Sequence, residues 1–310
     1  MLLIKETREK DLDMLMELWN TPSVMMYVGF PNGLNTTKEK MISWFEHIQQ
    51  KENTKHYSIF LRHQGFMGET YYSFENTNEP AILDIKLFEK GRGKHIGLQA
   101  FSFAIDQLFK NTSALSAKVD PHIDNIPAIH LYHKLGFIDE YSFDYQGEKH
   151  LYMTLQKSSW QENRIAQVHL EDVTIDNFIE VSKLKLKVEQ ENFIASNALS
   201  LAQSKYQEEC IPKAIMVHQN IVGFLMYCVD RTDHEYWIYR LMIDELYQGL
   251  GYGQKAMEII LKDLKEVASN HLIRISFEPE NVVAKQLYEK LGFQDTGIVD
   301  GGEIIYDLKW

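Results

Sequence analysis

Residues 247–257 read YQGLGYGQKAM and place Gly249, Gly251 and Gly253 directly before KAMEIILKDLKEV, a stretch with helical apolar spacing. Glycine is about 1 kcal/mol worse than alanine inside a helix, so three of them at a helix start need a reason. The first helical turn has main-chain N–H groups without partners and a positive dipole end. Glycine lacks the Cβ that would hold an anion off that backbone. A strand, a glycine turn and a helix therefore make a cradle for phosphate or diphosphate. Farther on, NVVAKQLYEKLGF supplies Asn281, an amide, and Tyr288, a phenol. Glu189, Glu191, Asp233 and Glu235 precede the cradle and can face a cation. For each one alone, a solvated surface position is commoner.

The elements that must position these residues occur twice. NIPAIHLYHKLGF begins at Asn125 and NVVAKQLYEKLGF at Asn281, 156 residues apart. The same spacing joins Arg92 to Gln248 and Gly97 to Gly253. The 310 residues therefore read as two copies of one domain, 1–158 and 164–310, with the polar segment 156–164 as linker. In the second copy, 214–218 and 221–229 read as a hairpin and 236–243 as a buried strand. Helices are expected at 174–181, at about 197–208, at about 253–268 and at 282–290, and strands at 272–277 and 303–310. The spacing of Met257, Ile260, Leu261, Leu264 and Val267 supports the third of these helices. Each copy is expected to hold a mixed α/β (α+β) sheet, mostly antiparallel and flanked by helices.

Composition excludes some partners. The net charge is −12, with 17 basic and 20 acidic residues in 1–158 and 15 and 24 in 159–310. Phosphate backbones would be repelled, so nucleic acid is not an expected partner, and a small cationic molecule is. No apolar run is long enough to span a bilayer. The start turns charged at once and does not read as a signal peptide. Cys210 and Cys228 lack metal-site spacing and read as two reduced thiols of a cytoplasmic protein. His130 and His133 lie one turn apart, but no third ligand is in view, and no metal site is expected.

Two nucleotide-type readings compete for the glycine turn. Gly251-x-Gly253-x-x-Ala256 fits a dinucleotide fingerprint loosely, but it lies deep in its domain and lacks the acid about 20 residues on. Gln248-x-x-Gly251-x-Gly253, followed by Asn281 and Tyr288, resembles the GNAT superfamily of acyl-CoA-dependent N-acetyltransferases, and both copies carry the pattern. The resemblance implies that Gln248, Gly249, Leu250, Gly251, Tyr252, Gly253 and Gln254 hold the pyrophosphate of acetyl-CoA. It implies that the pantetheine arm pairs with the main chain of Leu241 and Ile243, around Met242, where strands splay. Asn281 would bond that arm, and Tyr288 would protonate the leaving thiolate. The second copy is similar to bacterial spermine/spermidine N-acetyltransferases in VEQENFIASNALSLAQ, YWIYRLMID and the DGGEIIYDLKW ending. This implies a polyamine acceptor, with Glu189, Glu191 and Asp233 near it. Another amine, such as an aminoglycoside or a peptide N-terminus, and a CoA-binding sensor without turnover are the alternatives. No oligomeric state follows from the sequence.

The chemistry demands a neutral amine. An alkylamine of pKa about 10.4 is neutral in roughly one molecule per thousand at pH 7, a deficit of about 4–5 kcal/mol. A base must take the proton. Glu235 and Tyr239 are the candidates, and Arg240 is expected in a structural salt bridge. In the first copy Arg92, Gly93, Gly97 and Asn125 keep the cofactor pattern, but His95 replaces the glycine matching Gly251. That copy is expected to have reduced or lost catalysis.

Overall fold

The computed structural model describes residues 2–93, 95–231 and 234–310. The chain divides into two compact units, 1–163 and 164–310. Unit 1 runs β1 (Leu2–Glu6), α1 (Leu12–Trp19), α2 (Pro22–Met25), α3 (Lys38–Gln49), β2 (Thr54–Leu61), β3 (Gly65–Ser73), β4 (Ala81–Leu87), α4 (Ile96–Asn111), β5 (Ser116–Val119), α5 (Ile126–Lys134), β6 (Ile138–Tyr145) and β7 (Glu148–Gln156). α6 (Lys157–Ala166) crosses the division. Unit 2 continues with β8 (Val168–Asp172), α7 (Phe178–Val181), α8 (Asn197–Tyr206), β9 (Cys210–Val217), β10 (Asn220–Val229), β11 (Tyr236–Ile243), α9 (Tyr252–Val267), β12 (Leu272–Phe277), α10 (Val282–Lys290), β13 (Gln294–Asp300) and β14 (Glu303–Lys309).

The two sheets share one topology. Their strand orders are β1-β2-β3-β4-β5-β7-β6 and β8-β9-β10-β11-β12-β14-β13. The neighbours are antiparallel except β4/β5 and β11/β12, each joined by a crossover helix. The parallel pairs are short. β11 meets β12 only at Tyr236–Ile273, Trp237–Arg274 and Ile238–Ile275. β4 meets β5 only at Ala81–Ala117 and Ile82–Lys118. Beyond those points the strands part, and each sheet opens into a notch at its centre.

α9 shows why these segments fold as they do. Met257, Ile260, Leu261 and Leu264 are buried against Ile238, Ile273 and Ile275. Each such side chain contributes about 1.5–3 kcal/mol through removal from water. Val267, on the same expected stripe, is exposed in the last helical residue. Gly253 lets the helix lie close on the sheet, since a Cβ there would come within 3.3 Å of Ile243.

Several expectations are corrected. Residues 156–164 are not an irregular linker, because nearly all of them lie in α6. Trp160 is buried there and donates its indole N–H to Asp106 at 2.8 Å, which anchors a helix whose surface is otherwise polar. The helix expected at 174–181 forms only over α7, since Asn177 closes a turn by accepting the Thr174 N–H at 2.8 Å. The cysteines are not free. Cys210 and Cys228 face each other across the β9–β10 ladder, with Cα atoms 4.2 Å apart, and form a disulfide.

Candidate active site

β11 is where the unit 2 site begins. Met226 pairs with Arg240 but Tyr227 pairs with Ile238, so Tyr239 is an extra residue on β11. A bulge of this kind bends and twists its strand, and this one lies where β11 parts from β12. Arg240 donates Nη1–H to the Tyr239 carbonyl at 2.6 Å. At the other end, Gln248 donates Nε2–H to the Ile243 carbonyl at 3.0 Å. Main-chain groups of alternate strand residues face the same edge. Leu241, between these two capped carbonyls, is thus the residue of the notch whose main chain remains for a ligand. Of the main-chain groups expected to pair with the arm, the Ile243 carbonyl already accepts from Gln248. Met242 instead buries its side chain, with its Sδ 3.6 Å from the Asn197 amide.

The glycine turn fits a diphosphate. Gly249 and Gly251 adopt φ of +81° and +82°, a region that disfavours a side chain. A Cβ on Gly249 would meet nothing within 4 Å, so the main chain there is approachable. The first bond of α9 runs from Lys255 N–H to Gly251 O at 3.1 Å, leaving the preceding N–H groups directed out of the helix end. Gly251 is the N-cap, no side chain caps the helix, and no acid lies in its first turn. Leu250 and Tyr252 support the turn from the core, and Arg164 bonds the Tyr252 hydroxyl at 3.0 Å. Gln254 bonds Glu258 at 2.8 Å. Gln248 also donates to Gln190 at 2.7 Å, which ties the turn to the segment carrying exposed Glu189 and Glu191. Asp233 lies outside the described residues.

Asn281 is the N-cap of α10, its Oδ1 accepting the Ala284 N–H at 3.1 Å. About two turns later, Tyr288 is 6 % exposed and packs on Phe277 and Phe293, with ring centroids 5.2 and 6.0 Å away. Among the described residues its hydroxyl has no hydrogen-bond partner. Burial, and then the charge of Glu303, push its pKa up, so the phenol stays protonated and keeps a proton to donate.

The expected bases fare differently. Glu235 is bonded to Arg274, which also bonds Asp307 at 3.1 Å. Its carboxylate is thus engaged in an ion-pair cluster. Burial, with Asp230 and Glu209, raises the Tyr239 pKa, so that hydroxyl is also a donor. The carboxylate brought toward Tyr288 is Glu303 on β14, which accepts the Ser276 hydroxyl. The same carboxylate acts on Arg240, whose pKa is lowered by burial. Arg240 has no salt bridge among the described residues, contrary to expectation. Sequence reasoning missed Glu303, and gave Arg240 a salt bridge instead, because β11 and β14 lie far apart in the chain and belong together only through the sheet.

Unit 1 repeats the scaffold. Arg92 donates Nε–H to the Leu87 carbonyl at 3.2 Å, as Gln248 does to Ile243, and Nη2–H to Ser23 O at 2.9 Å. Gly93 has φ +71°, and His95 takes the left-handed N-cap position of α4 at φ +57°. Gly97 packs near Leu87 and Leu131. Asn125 caps α5 through the Ala128 N–H at 3.4 Å.

Known proteins share this frame. The profile of the Acetyltransferase (GNAT) family matches residues 180–293, and that of an Acetyltransferase (GNAT) domain matches residues 1–138. The chain belongs to the GNAT acetyltransferase family and carries its domain twice in tandem. The spermine/spermidine N(1)-acetyltransferase of Bacillus subtilis (strain 168) is 30% identical over 139 residues, 43% of this chain and 91% of that protein. The probable spermine N(1)-acetyltransferase of Bacillus subtilis subsp. natto is 29% identical over the same lengths. A crystal structure of spermidine N-acetyltransferase from Vibrio cholerae, in complex with CoA and spermine, is 17% identical with a TM-score of 0.46, covering 51% of this chain and 97% of that one.

Proposed function

We propose that unit 2 transfers an acetyl group from acetyl-CoA to a primary amine of a polyamine. The observation that carries the reading is the uncapped glycine turn at the end of a strand that has left its neighbour. Gln248 to Gln254 would hold the diphosphate, and Leu241 and Asn281 the pantetheine arm. Bound there, acetyl-CoA supplies a thioester carbonyl open to attack by a neutral amine. Tyr288 holds the proton that a departing thiolate needs. Glu303 is the carboxylate positioned to take a proton from the acceptor, directly or through water. Glu189 and Glu191, exposed near the turn, suit the distal charges of a polyamine, and Asp233 is retained as a third such carboxylate. Support for the acceptor comes from the curated Bacillus relatives, which are named for spermine and spermidine. The reading keeps a cytoplasmic location.

Incubating the protein with acetyl-CoA and spermidine, with a thiol reagent reporting released CoA, tests this reading. Release dependent on spermidine is expected. Release with other amines of a panel but none with spermidine would transfer the enzyme to a different acceptor class. Tight CoA binding with no amine consumed would make it a sensor.

A further inference from the structure

Unit 1 buries a charged pair where its repeat has an apolar one. Lys86 lies on β4 at the register position of Met242 on β11, and Glu69 on β3 at that of Phe224. Lysine and glutamate are almost never buried unless paired. Here the Lys86 side chain is 10% exposed and that of Glu69 1%. The Lys86 ammonium bonds Asp84 and lies 3.4 Å from Glu69 Oε1. It also sits 5.7 Å from the ring centroid of Tyr71, within the range of a cation–π contact. His56 stacks on Tyr71 at 6.0 Å and Trp44 meets His56 edge-on at 4.9 Å, so this aromatic wall is backed. Both carboxylates are held in place from elsewhere. Asp84 Oδ1 accepts the Ile85 N–H at 2.7 Å, and Glu69 Oε1 accepts the Trp19 indole N–H at 2.7 Å. Among the described residues the buried Glu69 Oε2 accepts no hydrogen bond, although His56 Nε2 is 2.7 Å away.

The two carboxylates and the ring thus form a seat for one ammonium. Burial would strip the proton from Lys86, but Asp84 and then Glu69 raise its pKa, so the amine stays charged. The charges of Asp84 and Lys86 both reach the buried Tyr132, which stands 156 residues before Tyr288, so the seat borders the notch of unit 1. We infer that Glu69, Asp84 and Tyr71 form a binding site for a primary alkylammonium ion, that Lys86 fills it as a tethered ligand, and that unit 1 is thereby closed to an external amine. The tip of a lysine and the end of a polyamine share one chemistry, a methylene chain ending in an ammonium. A free amine has to displace a group held at an effective concentration of about millimolar or more. Unit 2 carries no such ligand, because Phe224 and Met242 leave the matching place apolar. Reduced activity in unit 1 then has a ground apart from His95.

Lys86→Ala removes three methylenes and the ammonium, the shape of n-propylammonium. Thermal unfolding of the full chain in n-propylammonium chloride, against tetramethylammonium chloride at equal concentration, tests the seat. At ten times its dissociation constant, n-propylammonium should raise the melting temperature of the Lys86→Ala protein by about 3–6 °C beyond any shift in the wild type, and saturably. Tetramethylammonium, with no N–H to donate, should give no such excess. Lys86→Met, which fills the space as Met242 does in unit 2, should respond as the wild type does. If Lys86→Ala unfolds unit 1, recovery of the lost transition on adding n-propylammonium is the same result. No saturable excess over the wild type, or an equal excess in tetramethylammonium or in Lys86→Met, would overturn the inference. The readout needs neither CoA nor transfer, so its failure leaves the unit 2 reading untouched.

Discussion

In unit 1 the cross-strand pair Glu69–Lys86 is buried beside His56, and Trp19 donates its indole N–H to Glu69 at 2.7 Å. In unit 2 the pair at the same register position is Phe224–Met242, set among Val181, Ala214 and Cys228. The two sheets have the same strand order, yet one covers this face with an ionic network and the other with apolar side chains. The topology is therefore indifferent to what fills the face. A buried ion pair is seldom more stabilising than a well-packed apolar pair. The network in unit 1 is better understood through what it holds at its edge: Lys86 fixes Asp84 at the notch, where unit 2 has Arg240.

The largest effect separating the units is expected from Tyr288→Phe. Loss of a general acid should lower unit 2 turnover by about 100- to 1,000-fold, with CoA affinity unchanged in calorimetry. Because the Tyr288 pKa is raised, its donor state outlasts the deprotonation of an alkylamine near 10.4. Wild-type kcat/KM for the amine should therefore rise through that range without an alkaline fall assignable to this tyrosine.

The next effect falls on stability. Glu69→Gln leaves Lys86 with Asp84 as its remaining carboxylate in unit 1, and should cost about 1–3 kcal/mol in denaturant unfolding. Burial alone would raise the pKa of Glu69, but His56 and Lys86 hold it down to about 2, against an ordinary 4.5. The folded value is the lower one, so its contribution is complete above about 4.5 and is lost as the pH falls toward 2. His56 Nε2 and Glu69 Oε2 approach to 2.7 Å without hydrogen-bond alignment, so the effect is chiefly electrostatic. Phe224→Ala should cost about 3–5 kcal/mol in unit 2 with no such pH dependence.

Smaller effects sharpen the contrast at the notch. Glu303→Gln should lower unit 2 turnover by about tenfold or more. Glu235→Gln should mainly lower the melting temperature, because its carboxylate serves Arg274. A rate loss confined to Glu235→Gln would restore Glu235 as the base. His95→Gly should stabilise unit 1 by about 1 kcal/mol in denaturant unfolding, by relieving a left-handed non-glycine residue.

The cradle was legible because its constraint acts on the main chain, and the main chain shows itself through glycine at positive φ. The repeat made the fold legible, since Asn125/Asn281 and Gly97/Gly253 recur at one spacing. Strands β11 and β12 and helix α10 have the bounds expected from their apolar patterns. Glu303 and Arg240 were not legible as site residues. Each is an ordinary charged residue until a bulge, a parallel pair cut short and a cross-strand register bring it to a notch. The Cys210–Cys228 pairing was hidden for the same reason, since it depends on β9–β10 register. α6 was hidden because its buried residues, Trp160 and Arg164, do not form an apolar stripe.

A crystal structure of the full chain soaked with acetyl-CoA tests the central claim most directly. The diphosphate is expected against the N–H groups of Gly249 to Gln254, with the arm entering between β11 and β12 along Leu241 and the sulfur at the Tyr288 hydroxyl. A glycine turn left bare at saturating ligand, with the cofactor elsewhere or absent, would contradict the account.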